Sequence, residues 1–364
     1  MSRPVVTTRL CRVLGVRHPI VLAGMAGGPT TPELVAAVSR AGGLGTFGLT
    51  GMSIEAVRRA VTRACELTAA PIAINVLVAP ATPADPGAPD PRTVLAPMRA
   101  ELGLPADTPA QPAPPSPADL VRAGLECGAR VVSVGLGDPG AVRDLAREAG
   151  APLIAMASSV EDAVRAVEAG ADVIVAQGSE AGGHRSTFDV PRDGVVPLVG
   201  TFALVPQVVA ALDVPVIAAG AVMNGRGLAA ALALGADGVQ MGTRFLVAAE
   251  SGAPEGYRRR VAQARDTDTV ITRAVSGRPA RGIRNRLITA LEAAGPPALG
   301  YPAQAGATAG VRAAAAAADE PEMIALWAGQ AAGLSGSGQT AQQIVDEVMA
   351  EAETVIRDLV RLIT

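Results

Sequence analysis

Lysine is absent from this chain: all 31 of its basic side chains are arginines. The absence excludes catalysis through a lysine Schiff base and a P-loop, since both need a lysine amine. Histidine is almost absent as well, with only two in 364 residues. One of them, His184, stands in the string AQGSEAGGHRS (176–186), directly behind two glycines. That placement makes this string the first candidate for a catalytic segment.

Other shortages exclude further classes of function. Aromatic residues make up 2% of the chain and the net charge is −3 without a basic stripe, which argues against a nucleic-acid partner. No apolar run reaches the roughly 18–20 residues of a membrane span, and the N-terminal residues lack the apolar segment of a signal peptide. The three cysteines are scattered, without metal-ligand spacing. We therefore expect a cytoplasmic protein that binds neither metal nor membrane.

A repeated pattern of glycine, small residue and apolar run dominates the chain. It occurs in ECGARVVSVG (126–135), EAGAPLIAMA (148–157), EAGADVIVAQG (168–178) and ALGADGVQMG (233–242). Each run follows an amphipathic stretch, which predicts a helix that ends at a glycine and leads into a strand buried on both faces. Eight strands are predicted, near 19–24, 44–48, 71–78, 130–135, 152–157, 172–177, 214–219 and 237–241. The count favours an α/β fold of the (β/α)8 TIM-barrel type over a doubly wound sheet, because no G-x-G-x-x-G string opens the first helix.

Two segments interrupt this pattern. Residues 80–117 hold 12 of the 29 prolines, which predicts a long insertion after strand 3, about 79–118, with a short helix around 93–102. Such an insertion is either a surface loop or a lid over the barrel mouth. Residues from about 250 to 364 add an arginine-rich segment and two predicted helices, at 321–334 and 340–363. We expect a single domain over residues 1–364, with a barrel core at about 15–250 and a C-terminal helical cap.

Polar residues and glycines follow the predicted strands, at the end of the barrel where this fold places its chemistry. Gly220 follows strand 7, and Gly242 and Thr243 follow strand 8; their N–H groups and hydroxyl suit a phosphate, although a tight turn alone also explains a glycine. Asn75 and Gln177 end strands 3 and 6. A buried amide either bonds neighbouring backbone or binds the polar edge of a planar cofactor. Two amides beside a phosphate site indicate flavin mononucleotide (FMN).

His184 lies on the loop after strand 6, where Gly182 and Gly183 would let the backbone pass close to a flavin ring. This position favours a catalytic role for His184, and a structural role for His18, which precedes strand 1 at the opposite rim. Glu180 is the only acid close by, so a Ser-His-Asp triad has no support, and a metal site lacks a second histidine or paired cysteines.

These strings resemble the nitronate monooxygenases, formerly called 2-nitropropane dioxygenases, and most of all their class I branch. The similar segments cover nearly the whole chain: 24–48, 176–186, 198–209, 214–245, 276–285 and 326–334. The resemblance implies a TIM barrel with non-covalent FMN and a catalytic His184. The flavin-contacting positions that it implies are Asn75, Gln177, Gly182, Gly220, Gln240, Met241, Gly242 and Thr243.

The resemblance also implies a reaction, the oxidation of an alkyl nitronate such as propionate 3-nitronate by O2 to nitrite and a carbonyl product. His184 would orient the nitro oxygens, or act as general base if neutral nitroalkanes are used. Arg185 and the arginine-rich segment 278–286 either attract anionic substrates or form a solvated or subunit-contact face. The partners expected are a small-molecule substrate and O2, and a homo-oligomer is left open.

Two departures from the family keep other functions in view. The first strand ends in LAGMAGG instead of the usual Gln-Ala-Pro-Met string, and no lysine occurs near 301–310. The substrate pocket is therefore less well defined than the flavin site. The alternatives are an FMN-dependent NAD(P)H reductase, acting on enoyl-acyl-carrier-protein or quinone, and a biosynthetic flavin oxidase with a larger substrate.

Overall fold

The computed structural model describes residues 6–82, 84–85, 87–105, 114–191, 193–336 and 338–363. The strands in this part of the chain are, in order, Ile20–Leu22 (β1), Gly45–Gly48 (β2), Ile72–Leu77 (β3), Val131–Gly135 (β4), Leu153–Ala157 (β5), Val173–Gln177 (β6), Gly183–His184 (β7), Val216–Ala219 (β8), Gly238–Met241 (β9), Thr269–Thr272 (β10) and Ala280–Ile283 (β11). The helices are Arg9–Leu14 (α1), Pro32–Arg40 (α2), Ile54–Leu67 (α3), Pro91–Val94 (α4), Ala96–Glu101 (α5), Pro117–Glu126 (α6), Gly140–Glu148 (α7), Val160–Glu168 (α8), Thr201–Ala211 (α9), Gly225–Ala233 (α10), Thr243–Leu246 (α11), Glu255–Ala262 (α12), Arg286–Ala293 (α13), Ala303–Ala317 (α14) and Ala341–Arg361 (α15). None of the described helices is long and apolar enough to cross a membrane.

Eight parallel strands form the barrel, in the spatial order β1, β9, β8, β6, β5, β4, β3, β2. The two ends of this sheet meet through Leu44, whose N–H donates to the Ile20 carbonyl and whose carbonyl accepts from the Leu22 N–H, both at 2.9 Å. Helices separate the strands along the chain. The predicted α/β TIM-barrel fold is confirmed, and each of the eight predicted strands is present.

The glycines of the repeated pattern end the helices, as predicted. Gly128, Gly150, Gly170 and Gly235 follow α6, α7, α8 and α10, with φ angles of 107°, 62°, 104° and 93°. The amide after each glycine turns back onto the helix: Ala151 N–H, for example, donates to the Ala146 carbonyl at 2.9 Å. The left-handed conformation at this position favours glycine, because glycine has no Cβ to clash with the backbone. These turns direct the chain into the next barrel strand.

The barrel interior changes from apolar to polar along its axis. Alternate strand residues point inward. The inward-facing apolar residues pack on Leu10, Cys11 and Leu14 of α1, which covers the N-terminal end; they are Val21, Leu44, Ala73, Val131, Ile154, Val173, Val175, Ile217 and Ala219. One inward position further along the strands, the side chains become polar; these buried residues are Thr46, Asn75, Ser133, Gln177 and Gln240. The carboxyl end of the barrel is therefore a polar mouth above an apolar floor.

The insertion after β3 packs against the C-terminal extension. Leu95 and Met98, from α4–α5, are buried among apolar side chains of the extension. Thr82 and Tyr301 join the two segments, since Thr82 N–H donates to the Tyr301 carbonyl at 2.9 Å and Tyr301 N–H donates to Thr82 Oγ1 at 2.6 Å. The predicted short helix is present as α4 and α5. Residues 83, 86 and 106–113 of the insertion lie outside the described residues, and a role as a lid stays a prediction.

The extension contains more structure than the two predicted helices. The helix predicted at 340–363 is confirmed as α15, but the helix predicted at 321–334 is wrong. That stretch forms 3-10 turns at Pro321–Met323 and Ala332–Leu334, with irregular chain between them. Its carbonyls are satisfied by distant partners: Leu326 O accepts from Ile283 N–H at 2.8 Å, and Trp327 O accepts from Tyr257 Oη at 2.6 Å. These tertiary hydrogen bonds replace the intrahelical ones, and they depend on residues far away in the sequence.

Candidate active site

His184 is held at the barrel mouth by backbone pairing. Its strand β7 pairs antiparallel with β11, with His184 opposite Ala280. From below, Gln177 Nε2 donates to the His184 carbonyl at 2.9 Å, and Gln177 Oε1 accepts from Ser186 N–H at 2.9 Å. Of the two roles considered for the Gln177 amide, the structure therefore shows bonding to neighbouring backbone. The loop after β6 is fixed between the barrel and the extension.

The His184 side chain faces residues of the extension. Its Nε2 lies 2.9 Å from Ser276 Oγ. Its ring centroid is 6.2 Å from that of Tyr301, in an edge-to-face arrangement, and 5.6 Å from that of Trp327. The sequence by itself assigns no role to Ser276 or Trp327. Their signal was membership of the family-like strings 276–285 and 326–334, which does not say what they touch.

His184 is neutral at physiological pH. Burial of the imidazole lowers the pKa of His184 from 6.5 to about 4, with Arg278 and Arg312 adding to the effect through charge repulsion. Desolvation and nearby cations both disfavour the charged imidazolium. His184 therefore enters any reaction near pH 7 as an uncharged group with one protonated and one free nitrogen.

The lowered pKa of His184 predicts a pH dependence of stability. Between pH 6.5 and 4 the unfolded chain binds a proton at this histidine that the folded chain does not. The free energy of unfolding must therefore fall as the pH falls through that window. We expect the wild type to lose about 1–2 kcal/mol more between pH 7 and pH 5 than His184→Gln, measured by urea unfolding of both proteins. An equal loss in the two proteins would show that the pKa of His184 is not depressed.

Four buried or half-buried arginines lie around the His184 loop without forming an ion pair with a described carboxylate. They are Arg185, Arg278, Arg281 and Arg312, and none forms an ion pair with a described residue. Arg278 is 0% exposed; Nη2 donates to the Thr187 carbonyl at 2.6 Å, whereas Nε and Nη1 have no partner in the described part of the chain. Burial lowers the pKa of each of the four. Because an unpaired buried cation is costly, this arrangement favours an anionic ligand.

The arginine-rich segment 278–286 divides into two kinds of side chain. Arg278 and Arg281 are buried. Arg284 and Arg286 are exposed and paired with Glu292, at 2.7 Å, and Glu101. The exposed pair fits the interpretation as a solvated face, whereas attraction of an anionic substrate by the buried pair stays a prediction.

Polar groups at the barrel mouth lack protein partners, which tests whether a flavin fits. Asn75 is 5% exposed and its amide bonds no described residue. Gln240 is 7% exposed, and its amide has only a 4.0 Å contact with Met156 Sδ among the described residues. The Thr46 hydroxyl is buried and also unpartnered there. Since buried polar groups are normally satisfied, these three sites fit a polar ligand lying across the mouth.

Three of the glycines that were predicted to lie at the ligand site are required by their local backbone or packing. Gly220 ends β8 with a φ of +115°, and an added Cβ would lie 2.6 Å from Thr201 Oγ1. An added Cβ on Gly182 would lie 2.6 Å from the Ala328 carbonyl carbon, so that glycine permits close packing against the extension. Gly183 has a φ of +77° and open space beside it. The Gly182–Gly183 pair thus shapes the loop that presents His184.

The end of β9 offers a hydroxyl and backbone groups. Thr243 Oγ1 accepts from Gly329 N–H at 3.0 Å, which leaves its proton free to donate. Gly242 immediately precedes α11. The Met241 side chain belongs to the core between barrel and helices, so only its backbone is available to a ligand at the mouth. This strand end suits a phosphate through N–H and O–H donors.

The remaining candidates have structural partners. Glu180 accepts from Thr201 N–H at 2.9 and 3.0 Å and from Thr201 Oγ1 at 2.9 Å, at the start of α9. His18 lies before β1 at the other end of the barrel, where Nε2 accepts from Arg17 Nε at 2.9 Å. In the described ranges, no cluster of three His, Cys, Asp or Glu side chains is arranged to hold a metal ion.

Comparison with known proteins identifies a matching family, similar sequences and similar solved structures. A family model described as nitronate monooxygenase matches residues 8–351. A probable nitronate monooxygenase of Staphylococcus saprophyticus is 38% identical over 356 residues, which span 96% of this chain and 99% of that protein. Among solved structures, a nitroalkane oxidase from Streptomyces ansochromogenes is 34% identical with a TM-score of 0.83, covering 95% of this chain and 99% of its own. FabK from Thermotoga maritima is 32% identical with a TM-score of 0.77, covering 98% and 99%.

Proposed function

The chain belongs to the nitronate monooxygenase family and is an oxidoreductase, and from this premise we propose that it oxidises alkyl nitronates with O2 by means of bound FMN. The products would be nitrite and a carbonyl compound, with propionate 3-nitronate as a representative substrate. The observation that carries the proposal is the neutral His184 beside Arg278 and Arg312, neither of which forms an ion pair with a described residue.

The family is flavin-dependent in general, and we assign FMN to the polar barrel mouth. Asn75 and Gln240 would bind the polar edge of the ring, because their amides are otherwise unpartnered in the described chain. Gly220, Gly242 and Thr243 would bind the phosphate through backbone N–H groups and a hydroxyl. Gln177 would act mainly by holding the loop that carries His184. The flavin, when bound, supplies the electron acceptor that the side chains of the protein lack.

The side chains around His184 would bind and orient an anionic substrate. Arg278 and Arg312 attract and orient the negative charge of a nitronate. A nitronate is already deprotonated, so His184 need not remove a proton from it, and its uncharged ring leaves the negative charge to the arginines. Trp327 and Tyr301 flank the imidazole and would limit the access of water to it. Low local polarity strengthens each of these charge interactions.

A spectroscopic experiment tests the proposal. The purified protein should be yellow, and propionate 3-nitronate added without oxygen should change the visible flavin spectrum within seconds. NADH under the same conditions should change it little. Readmission of O2 should restore the spectrum and release nitrite. Rapid reduction by NADH together with an inert nitronate would overturn the assignment.

The similarity to FabK makes an NAD(P)H reductase the second candidate. Arg278 and Arg312, which form no ion pair with a described residue, also suit a phosphorylated nucleotide, since guanidinium groups bind phosphate well. The same anaerobic experiment separates the two functions, because each predicts a different electron donor. An enzyme reduced by both donors would count against an exclusive nitronate oxidase.

A further inference from the structure

Ser276 lies where it determines the protonation of His184. Its hydroxyl is buried, 2.9 Å from His184 Nε2, 3.3 Å from the Arg278 backbone nitrogen and 3.2 Å from the Arg278 carbonyl oxygen. The imidazole Nδ1 has no hydrogen-bond partner among the described residues. The single side-chain hydrogen bond of His184 is thus the one to Ser276.

The hydrogens around this hydroxyl can be counted. A serine hydroxyl has one proton to donate and two lone pairs to accept with. The Arg278 N–H can only donate, so it occupies one lone pair. In the described chain, Ser276 is the sole donor to the Arg278 carbonyl, which is buried. All three contacts are satisfied together only if the Ser276 proton goes to that carbonyl and His184 Nε2–H donates to the second lone pair. The opposite arrangement would leave a buried carbonyl unpaired, which folded proteins avoid.

We propose that Ser276 is a positioning residue that keeps the His184 ring proton on Nε2 and leaves Nδ1 as the nitrogen with a free lone pair. The inference rests on the proposed function and deepens it. Tautomers of histidine are normally set by the hydrogen bond of the other ring nitrogen. Arg278, Arg312 and Tyr301 are the charged or titratable groups nearest the ring, and none of them donates to Nδ1.

If neutral nitroalkanes are used as well, we assign Nδ1 as the nitrogen that acts as the general base. Its lone pair takes a proton from the carbon next to the nitro group, and the C–H electron pair becomes the C=N bond of the nitronate. His184 becomes an imidazolium with both nitrogens protonated. The negative charge appears on the nitro oxygens, where it offsets the repulsion between the imidazolium and the two arginines. The enzyme would then oxidise the nitronate that it has formed.

Nitrogen NMR tests the tautomer directly. His18→Gln leaves His184 as the single histidine, so 15N-histidine labelling of the flavin-loaded protein reports one ring. We expect Nε2 protonated and Nδ1 unprotonated near pH 7. In Ser276→Ala the preference should weaken to a mixture, and Ser276→Thr, which keeps the hydroxyl, should restore it. A proton mainly on Nδ1 in the Ser276 protein, or an unchanged tautomer in Ser276→Ala, would overturn the proposal.

Kinetics separate positioning from general damage. The matched substrates are 3-nitropropionate and propionate 3-nitronate, which differ only in the proton that Nδ1 would remove. In Ser276→Ala, kcat on the neutral carbon acid should fall about tenfold or more beyond any fall on the nitronate, and Ser276→Thr should recover most of it. Equal falls on both substrates would contradict the positioning role. If the wild type oxidises neither substrate, the proposed function fails, and the NMR measurement still decides where the proton lies. If Ser276→Ala does not fold, the tautomer of the His18→Gln protein decides it.

Discussion

Replacing His184 with alanine should lower the turnover of propionate 3-nitronate by about 100-fold or more, while the flavin stays bound. The loss follows from removing the imidazole that would position the substrate beside Arg278 and Arg312. The fold should tolerate the change, because the bonds that fix the loop use the backbone. Ala280 pairs with the His184 backbone, and Gln177 donates to its carbonyl. Among the described residues, only Ser276 forms a hydrogen bond with the His184 side chain.

The control for this variant is His18→Ala, at the opposite end of the barrel. It should keep both flavin and turnover, since His18 contacts Arg17 and no residue around His184. Turnover is measured as nitrite release, and flavin content by absorbance of the purified protein. An unchanged rate in His184→Ala would make His184 a structural residue. Loss of the flavin would mean that His184 serves the cofactor site and not the reaction.

The barrel could be predicted from the sequence because its signals are local. Gly128, Gly150, Gly170 and Gly235 each mark a helix end within a few residues of the next strand. The apolar runs that follow are buried on both faces, so their composition is uniform and easily recognised. The polar mouth was partly predictable, since Asn75 and Gln177 interrupt such runs. The positions of Thr46 and Ser133 at the mouth were not predicted, because small hydroxyl residues are common in strands.

The surroundings of His184 could not be predicted, because they are assembled from distant parts of the chain. Ser276 is 92 positions away from His184. Trp327 lies in a stretch that was predicted to be a helix. In the structure this stretch is irregular, because its carbonyls accept hydrogen bonds from the distant residues Tyr257 and Ile283. Burial of Arg278 is likewise a tertiary property, since nothing in its local sequence distinguishes it from the exposed, paired Arg284. Similarity to a family identifies the segments that contain these residues, but it does not show which side chains they contact.

Replacing Arg278 with methionine should weaken substrate binding and leave the protein as stable as before, or more stable. Arg278 is fully buried with two unpartnered nitrogens among the described residues, so its charge costs folding free energy. Replacing a poorly paired buried cation with an apolar side chain is often neutral or stabilising. One hydrogen bond to the Thr187 carbonyl is lost, which offsets part of the gain. We expect a free energy of unfolding between unchanged and about 1 kcal/mol higher.

The functional cost of Arg278→Met should appear in KM and in the protonation of His184. Loss of the buried cation beside His184 should raise KM for the anionic nitronate about tenfold or more, equivalent to roughly 1.4 kcal/mol of binding. The pKa of His184 should rise, because Arg278 is the first of the two charges that repel its proton. The acid limb of the pH–rate profile should therefore move to higher pH. Arg284→Met, which removes an exposed and paired guanidinium, is the matched control and should change none of these quantities appreciably. A destabilised Arg278→Met protein with an unaltered KM would show that the buried charge serves the fold and not the substrate.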